Sequence, residues 1–177
     1  MTTLADIIGA NAIFAAATYR DDLTINPWGN LTVVGCVDSR VDPSHIFGLG
    51  LGEAAAIRNV GGRITPSTLR TLAMLAKVRQ ANGATAVPGT RTLIVLHHTD
   101  CGITDIAAYP DLLAEYFEIP AEDLDSKAVL DPVAAVRIDT EVLLTELRGP
   151  DTLVAGVVYD VSTGRAEVVV EPTFLPT

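Results

Sequence analysis

The only two cysteines of the chain each follow an apolar segment that ends in polar residues. Cys36 closes the segment LTVVGC, and Cys101 follows TLIVL within HHTDCG. His98 precedes Cys101 by three residues, a spacing that lets both side chains reach one ion from a single turn. Thiolate and imidazole are preferred ligands of Zn²⁺, so Cys36, His98 and Cys101 form a candidate zinc triad that leaves a fourth position open.

The alternative is that both cysteines are small buried hydrophobes beside a hydrogen-bonded core histidine. Both, however, come at the ends of apolar strands, and one has a histidine at metal-binding spacing. A reducing cytosol disfavours a disulfide between them. The pattern therefore favours a metal site.

The segment CVDSR adds a carboxylate and a guanidinium to this site. Alternate residues of an extended chain face the same side, so Cys36, Asp38 and Arg40 are predicted to line up together. Arg40 would keep the Asp38 carboxylate ionised and oriented; the alternative is a surface salt bridge or a turn cap, both of which are common. Two thiolates cancel the formal charge of Zn²⁺, so a bound water would benefit from a nearby base. Asp38 could be that base, or could take the fourth zinc position and close the site.

The segments that would position these residues alternate between strand and helix. We predict strands over 31–36 and 91–98, and a short strand that runs into a loop over 54–62. Helices are predicted over 3–19, 65–83 and 132–147, with a short helix around 112–117, a loop over 84–90 and a hairpin over 152–170. This order predicts an α/β fold with a mostly parallel central sheet of four to five strands, an antiparallel edge strand and helices packed on it. Ligands collect at the carboxyl ends of such strands, where both cysteines lie. The N-terminal helix could pack on its own core or serve a partner subunit.

Chain length and net charge limit the number of domains and the kinds of partner that this sequence fits. At 177 residues, we expect one domain over 1–177. The net charge of −10 argues against nucleic acid or an anionic membrane surface as a partner. We find neither a secretory signal nor an apolar stretch near the ~20 residues that span a bilayer, so we expect a cytoplasmic protein.

Three segments together, CVDSR, IRNVGG and HHTDCG, resemble the β-class carbonic anhydrase family. The pattern of that family is Cys-x-Asp-x-Arg followed by His-x-x-Cys, with an Arg-Asn-x-Gly-type segment between them. The resemblance covers residues 31–106, and NAIFA at 11–15 is loosely similar to the family's N-terminal arm helix. Many members carry a glutamine shortly before the first cysteine, for which INPWGN offers no equivalent.

The resemblance implies that Cys36, His98 and Cys101 bind zinc. It also implies that Asp38 and Arg40 form a catalytic dyad, with Asp38 as a possible fourth ligand in a closed state. Zinc-bound hydroxide would attack CO₂ and release bicarbonate. Relatives with the same motif hydrolyse carbonyl sulfide, so carbonyl sulfide is an alternative substrate. A non-catalytic zinc or bicarbonate-responsive protein is a third hypothesis. Members assemble as homodimers or homotetramers with the active site near the subunit interface.

Residues beside the candidate ligands carry weaker signals. The backbone N–H of Gly102 could face a bound anion, as the resemblance suggests; the alternative is that the glycine only permits a turn. Asp100 could orient a ligand or pair with Arg58. His97 is interpreted as a core histidine with a hydrogen-bond partner.

Overall fold

A five-stranded mixed sheet organises the computed structural model, which describes residues 1–84, 87 and 89–177. Within that part of the chain the strand order is β2-β1-β3-β4-β5, with bounds β1 Leu31–Cys36, β2 Ala54–Asn59, β3 Arg91–His98, β4 Thr152–Asp160 and β5 Arg165–Phe174. The first four strands are parallel, and β5 pairs antiparallel with β4. The predicted α/β class and its antiparallel edge strand are therefore confirmed.

Helices connect the parallel strands. Their bounds are α1 Leu4–Ala17, α2 Pro43–Phe47, α3 Pro66–Ala81, α4 Pro110–Phe117 and α5 Pro132–Glu146, with short 3₁₀ helices at Val60–Gly62, Gly102–Ala108 and Ala121–Lys127. A side chain that accepts backbone N–H groups precedes α2, α3 and α5, and a proline follows it in each case. Such caps stabilise a helix start because they satisfy N–H groups that have no partner inside the helix.

Several predicted boundaries shift by a few residues, and the segment 54–62 is strand only to Asn59. The helix predicted around 112–117 begins at Pro110, and β5 continues to Phe174, past the predicted end at 170. Pro172 lies in β5 without breaking it, because a proline is tolerated in an edge strand that has unpaired N–H groups on one side. Of the predicted loop over 84–90, residues 85, 86 and 88 lie outside the described residues.

The central strands are buried on both faces and place the ligand-bearing ends side by side. Val33 and Val34 of β1 and Val95 and Leu96 of β3 are fully buried. In the parallel register of these two strands, Gly35 lies opposite Leu96. Cys36 and His98 therefore emerge at the same carboxyl edge of the sheet.

Helix α1 does not pack on the core of its own chain. All of its residues are described, and none of them is buried. Large apolar side chains on it are exposed, among them Leu4, Ile8 and Ile13. The expectation that α1 covers its own core is therefore wrong.

Among the described residues, no helix has both the length and the apolar character that a membrane span requires.

Gly62 lies where β1 and β3 come closest to the turn that follows β2. Its φ is +68°, and a Cβ built there would lie 2.9 Å from both the Cys36 nitrogen and the Leu96 oxygen. A side chain at this position would therefore push apart the strand that carries Cys36 and the strand that leads to His98.

We expect Gly62→Ala to lower the free energy of unfolding by at least about 3 kcal/mol, because it adds a clash with two backbones to left-handed strain. Gly83→Ala is the matched control: Gly83 has a φ of +78° and nothing within 4 Å of a built Cβ, so its cost should be about 1 kcal/mol. Urea denaturation of both variants measures the difference, and equal losses would contradict the close approach at Gly62.

Candidate metal centre

Cys36, His98 and Cys101 converge at the carboxyl edge of the sheet. Cys36 ends β1, His98 ends β3, and Cys101 lies three residues further on. The ligand atoms of the three side chains all lie within 4.8 Å of one another, and all three residues are buried. The two sulfur atoms are 3.7 Å apart. A tetrahedral zinc ion with Zn–S bonds of about 2.3 Å requires a sulfur separation of about 3.8 Å, so the thiol pair fits that metal.

The His98 ring is oriented as a metal ligand. Its Nδ1 lies 2.9 Å from the Thr99 carbonyl oxygen. Because a carbonyl oxygen only accepts hydrogen bonds, Nδ1 carries the proton and Nε2 keeps its lone pair. Nε2 is buried and has no hydrogen-bond partner in the described part of the chain. A buried acceptor facing two thiols without a partner is the arrangement that a shared metal ion satisfies.

The two thiols share a proton. A hydrogen bond from the Cys101 thiol lowers the pKa of Cys36, and the same bond raises the pKa of Cys101. The backbone N–H of Asp38, 3.4 Å from the Cys36 sulfur, adds to the stabilisation of its thiolate. A metal ion that bound both sulfurs would displace the shared proton.

Asp38 and Arg40 are paired next to this cluster. Arg40 Nη2 donates to Asp38 Oδ2 at 2.7 Å, and Arg40 Nε donates to Oδ1 at 3.1 Å. The side-chain hydrogen bond from Arg40 is the main reason that the pKa of Asp38 falls to about 2. Asp38 Oδ2 lies 4.0 Å from His98 Nε2. An ionised carboxylate therefore lies at the edge of the ligand cluster.

The predicted reason why Asp38 and Arg40 lie beside Cys36, the alternation of an extended strand, is wrong. β1 ends at Cys36, and the chain then turns, with the Val41 N–H donating to the Asp38 carbonyl at 3.0 Å. A turn brings Asp38 and Arg40 together, not the alternation of an extended strand. The Arg40 N–H also donates to Asp38 Oδ1 at 2.9 Å, which fixes the carboxylate within the turn.

Arg40 also holds the second ligand loop. Its Nη1 and Nη2 donate to the Asp100 carboxylate at 2.7 Å and to the Asp100 carbonyl at 2.8 Å. The suggested pair of Asp100 with Arg58 is therefore wrong. Arg58 instead donates to the Cys36 and Asp38 carbonyls, at 2.9 and 2.7 Å, and so braces the backbone that carries both side chains. Gly102 is exposed and begins a 3₁₀ helix, so its position leaves the proposed anion contact a prediction.

A cavity of about 130 Å³ lies beside two of the ligands. The residues that line it are Gly61, Arg63, His97, His98, Asp100, Cys101, Ile103, Thr104, Val129, Leu130, Pro132 and Ala135. Within the described residues, Asp38 and Arg40 are not part of this lining. Asp100, which Arg40 binds, does line the cavity, so the dyad contacts one of the lining residues.

Sequence reasoning missed a buried ionic cluster behind the ligands. Arg63 Nε donates to Asp139 Oδ2 at 2.7 Å, and His97 Nε2 lies 3.2 Å from the same oxygen. Burial would raise the pKa of Asp139, but the hydrogen bond with His97 and the charge of Arg63 lower it to about 2. A signal was available, because Asp139 shares the buried face of α5 with Val136 and Leu143 at helical spacing. A carboxylate on an apolar helix face needs a buried partner.

Comparison with known proteins identifies the family that shares this fold and these motifs. A family model described as carbonic anhydrase matches residues 31–119, half of the chain. Beta-carbonic anhydrase 1 of Mycobacterium tuberculosis is 35% identical over 101 residues, which is 57% of this chain and 56% of that protein. A carbon disulfide hydrolase of Acidianus is 31% identical over 112 residues, 63% of this chain and 49% of that protein. The chain thus spans about half the length of the curated relatives it matches.

Solved structures agree with the family and extend over more of the chain. A carbonic anhydrase of Streptococcus mutans superposes with a TM-score of 0.69 at 30% identity, covering 96% of this chain and 98% of that one. The fold and the convergent Cys-His-Cys group define an α/β domain with a candidate metal centre at the carboxyl edge of its sheet. The chain belongs to the β-carbonic anhydrase family, as its three motifs predicted.

The shared proton makes the two thiols chemically unequal. In metal-free protein we expect iodoacetamide to modify Cys36 before Cys101, because the lowered pKa of Cys36 keeps its thiolate populated at pH values where an ordinary thiol is protonated. Pulse labelling between about pH 6 and pH 8, read by peptide mass spectrometry, measures both rates. Cys101→Ala should slow the modification of Cys36 by removing its hydrogen-bond donor. Faster labelling of Cys101 in the unchanged chain would contradict the assignment.

Proposed function

We propose that this chain is a zinc-dependent carbonic anhydrase that hydrates CO₂ to bicarbonate. The observation that carries the proposal is the group of two thiols and one imidazole within 4.8 Å, with an ion-paired carboxylate 4.0 Å from the imidazole Nε2. Membership of the β-carbonic anhydrase family supports the reaction. Cys36, His98 and Cys101 would hold the zinc ion, which supplies the Lewis acidity that makes water a strong nucleophile near neutral pH.

The proposed role of Asp38 is to orient the reacting water by accepting a hydrogen bond. Its pKa of about 2 makes the carboxylate a weak base near neutral pH, so orientation suits it better than accepting the proton outright. Arg40 donates to both carboxylate oxygens and so restricts rotation of the side chain. The same carboxylate could take the fourth zinc position in a closed state, because it lies beside His98. The Gly102 N–H remains a proposed contact for the bicarbonate product.

Asp38→Asn tests the enzyme against a non-catalytic zinc protein. We expect kcat/KM for CO₂ hydration to fall roughly 100-fold, because the amide of asparagine pairs poorly with Arg40 and presents a donor where an acceptor is needed. Stopped-flow assays of zinc-loaded protein give the rates, and zinc content is measured on the same samples. Asp21→Asn, an exposed carboxylate away from the motifs, is the control and should keep the unchanged rate.

An unchanged chain that carries zinc but hydrates CO₂ no faster than the zinc-free control would contradict the proposed enzyme. It would favour the non-catalytic zinc or bicarbonate-responsive protein, in which Asp38 keeps the site closed. Equal rates for Asp38→Asn and the unchanged chain would remove Asp38 from the mechanism but leave the reaction in place.

Hydrolysis of carbonyl sulfide or carbon disulfide is a second candidate. It is supported by the likeness to carbon disulfide hydrolases and by the apolar residues Ile103, Val129 and Leu130 in the cavity beside the ligands. The same zinc ligands would serve, since these molecules are linear relatives of CO₂. Hydrogen sulfide release, measured in parallel with CO₂ hydration, separates the two substrates. The molecule with the higher kcat/KM is then assigned as the substrate.

We also propose that the chain forms a homodimer or homotetramer through α1. The helix exposes a continuous apolar surface and buries none of it on its own chain. A second copy is the occupant that would cover such a surface in the family. Residues 1–177 would act as one domain, and the two free cysteines suit the reducing conditions of the cytoplasm.

A charge on α1 should break this assembly. Ile13→Asp places a carboxylate on the exposed apolar helix, where desolvation on association would be costly, so we expect the molar mass in solution to fall towards that of a single chain. Asn11→Asp adds the same charge at a position that is already polar and serves as the control. Light scattering coupled to size-exclusion chromatography measures the mass, and a single-chain mass for the unchanged protein would contradict the proposal.

A further inference from the structure

The strongest feature that the proposed reaction leaves unused is the buried ionic cluster of Arg63, His97 and Asp139. Arg63 and Asp139 are each 1% exposed and belong to different segments, the turn after β2 and helix α5. A buried ion pair contributes little net stability compared with well-packed apolar residues, because removing two charges from water is costly. Stability alone is therefore a weak reason for the cluster.

The Asp139 carboxylate holds two segments at once. It accepts hydrogen bonds from Arg63 Nε at 2.7 Å and Nη2 at 3.2 Å, and from the Ile64 backbone N–H at 3.1 Å. Its Oδ2 also lies 3.2 Å from His97 Nε2. One side chain of α5 thus hydrogen-bonds the turn after β2 and lies against the end of β3.

Each of these segments leads directly to a metal ligand. His97 is the residue before His98 in β3. The turn that contains Arg63 lies against β1, and Gly62 leaves no room for a Cβ beside the Cys36 nitrogen. Asn59, opposite Cys36 in the β1–β2 register, accepts the Arg63 N–H at 2.8 Å. A shift at Asp139 would therefore move the Cys36 and His98 ligand atoms relative to each other.

We propose that Asp139, through Arg63 and His97, is a positioning residue that sets the separation of Cys36 and His98 for metal binding. This inference rests on the proposed zinc site. Groups that orient metal ligands from behind typically change metal affinity 10- to 100-fold when they are replaced.

Two variants test the role of the cluster. Asp139→Asn keeps the size of the side chain but leaves the Arg63 charge without its partner. The double variant Arg63→Met with Asp139→Asn removes both charges, so it avoids an unpaired buried guanidinium. We expect the zinc dissociation constant of the folded double variant, measured by competition with a chelator, to rise between about 10- and 100-fold. We expect the visible absorption of the cobalt(II)-substituted protein to change in energy or intensity, because it reports the coordination geometry.

Leu143→Ala is the matched control for a general loss of packing. Leu143 lies one turn further along α5, is fully buried and belongs to the apolar core. The substitution should lower the unfolding midpoint but leave the zinc dissociation constant and the cobalt spectrum unchanged. The zinc dissociation constant and the cobalt spectrum are measured on folded protein, so the comparison separates a positioning role from a general loss of stability.

The outcomes are distinct. Zinc binding by the double variant within threefold of the unchanged chain would overturn the positioning role, and failure of the double variant to fold would assign the cluster to stability instead. An Asp139→Asn protein that folds should show the same loss of affinity. Absence of zinc binding by the unchanged chain would contradict the proposed function itself and this inference with it. A drop in CO₂ hydration with unchanged zinc affinity would also contradict the inference, because the ligands would then be correctly placed.

Discussion

The parallel pairing of β1 with β3 is the constraint on which the candidate site depends. Cys36 and His98 are far apart in sequence, and the register of these two buried strands brings their ends to one edge of the sheet. Close packing on both faces of these strands fixes that register, since a shift by one residue would move every side chain to the opposite face and disrupt the packing. Apolar packing along β1 and β3 therefore determines the geometry of the candidate metal site.

Polar contacts then refine what the strands bring together. Arg40 binds carboxylates in both ligand loops, while Arg58 binds the backbone around Cys36. Asp139 joins the segments behind the ligands. Arg40, Arg58 and Asp139 thus each contact a segment that carries or adjoins a candidate metal ligand. This agrees with the general need of metal sites for outer groups that hold the ligands in place.

Much of this arrangement could be predicted from the sequence, because it follows from local patterns. The strand ends, the caps and the His-x-x-Cys spacing are all short-range signals, and the alternation of strands and helices orders the sheet. The partners of Asp100 and Arg58 could not be predicted, because they depend on how two loops meet in space. The position of Asp38 was predicted from strand alternation, but a turn produces it, in agreement with the turn cap that the sequence offered as the alternative. The partners of Asp139 lie in distant segments, so only its place on an apolar helix face was visible.

The separation of 3.7 Å between the Cys36 and Cys101 sulfurs has a consequence for the metal-free chain. Two thiols this close need to approach by less than 2 Å, roughly, to form a covalent bond, and the lowered pKa of Cys36 favours its thiolate, the form that reacts. An oxidant and a metal ion would therefore compete for the same pair of sulfur atoms. Occupancy by a metal would protect the chain from oxidative inactivation, and loss of the metal would expose it.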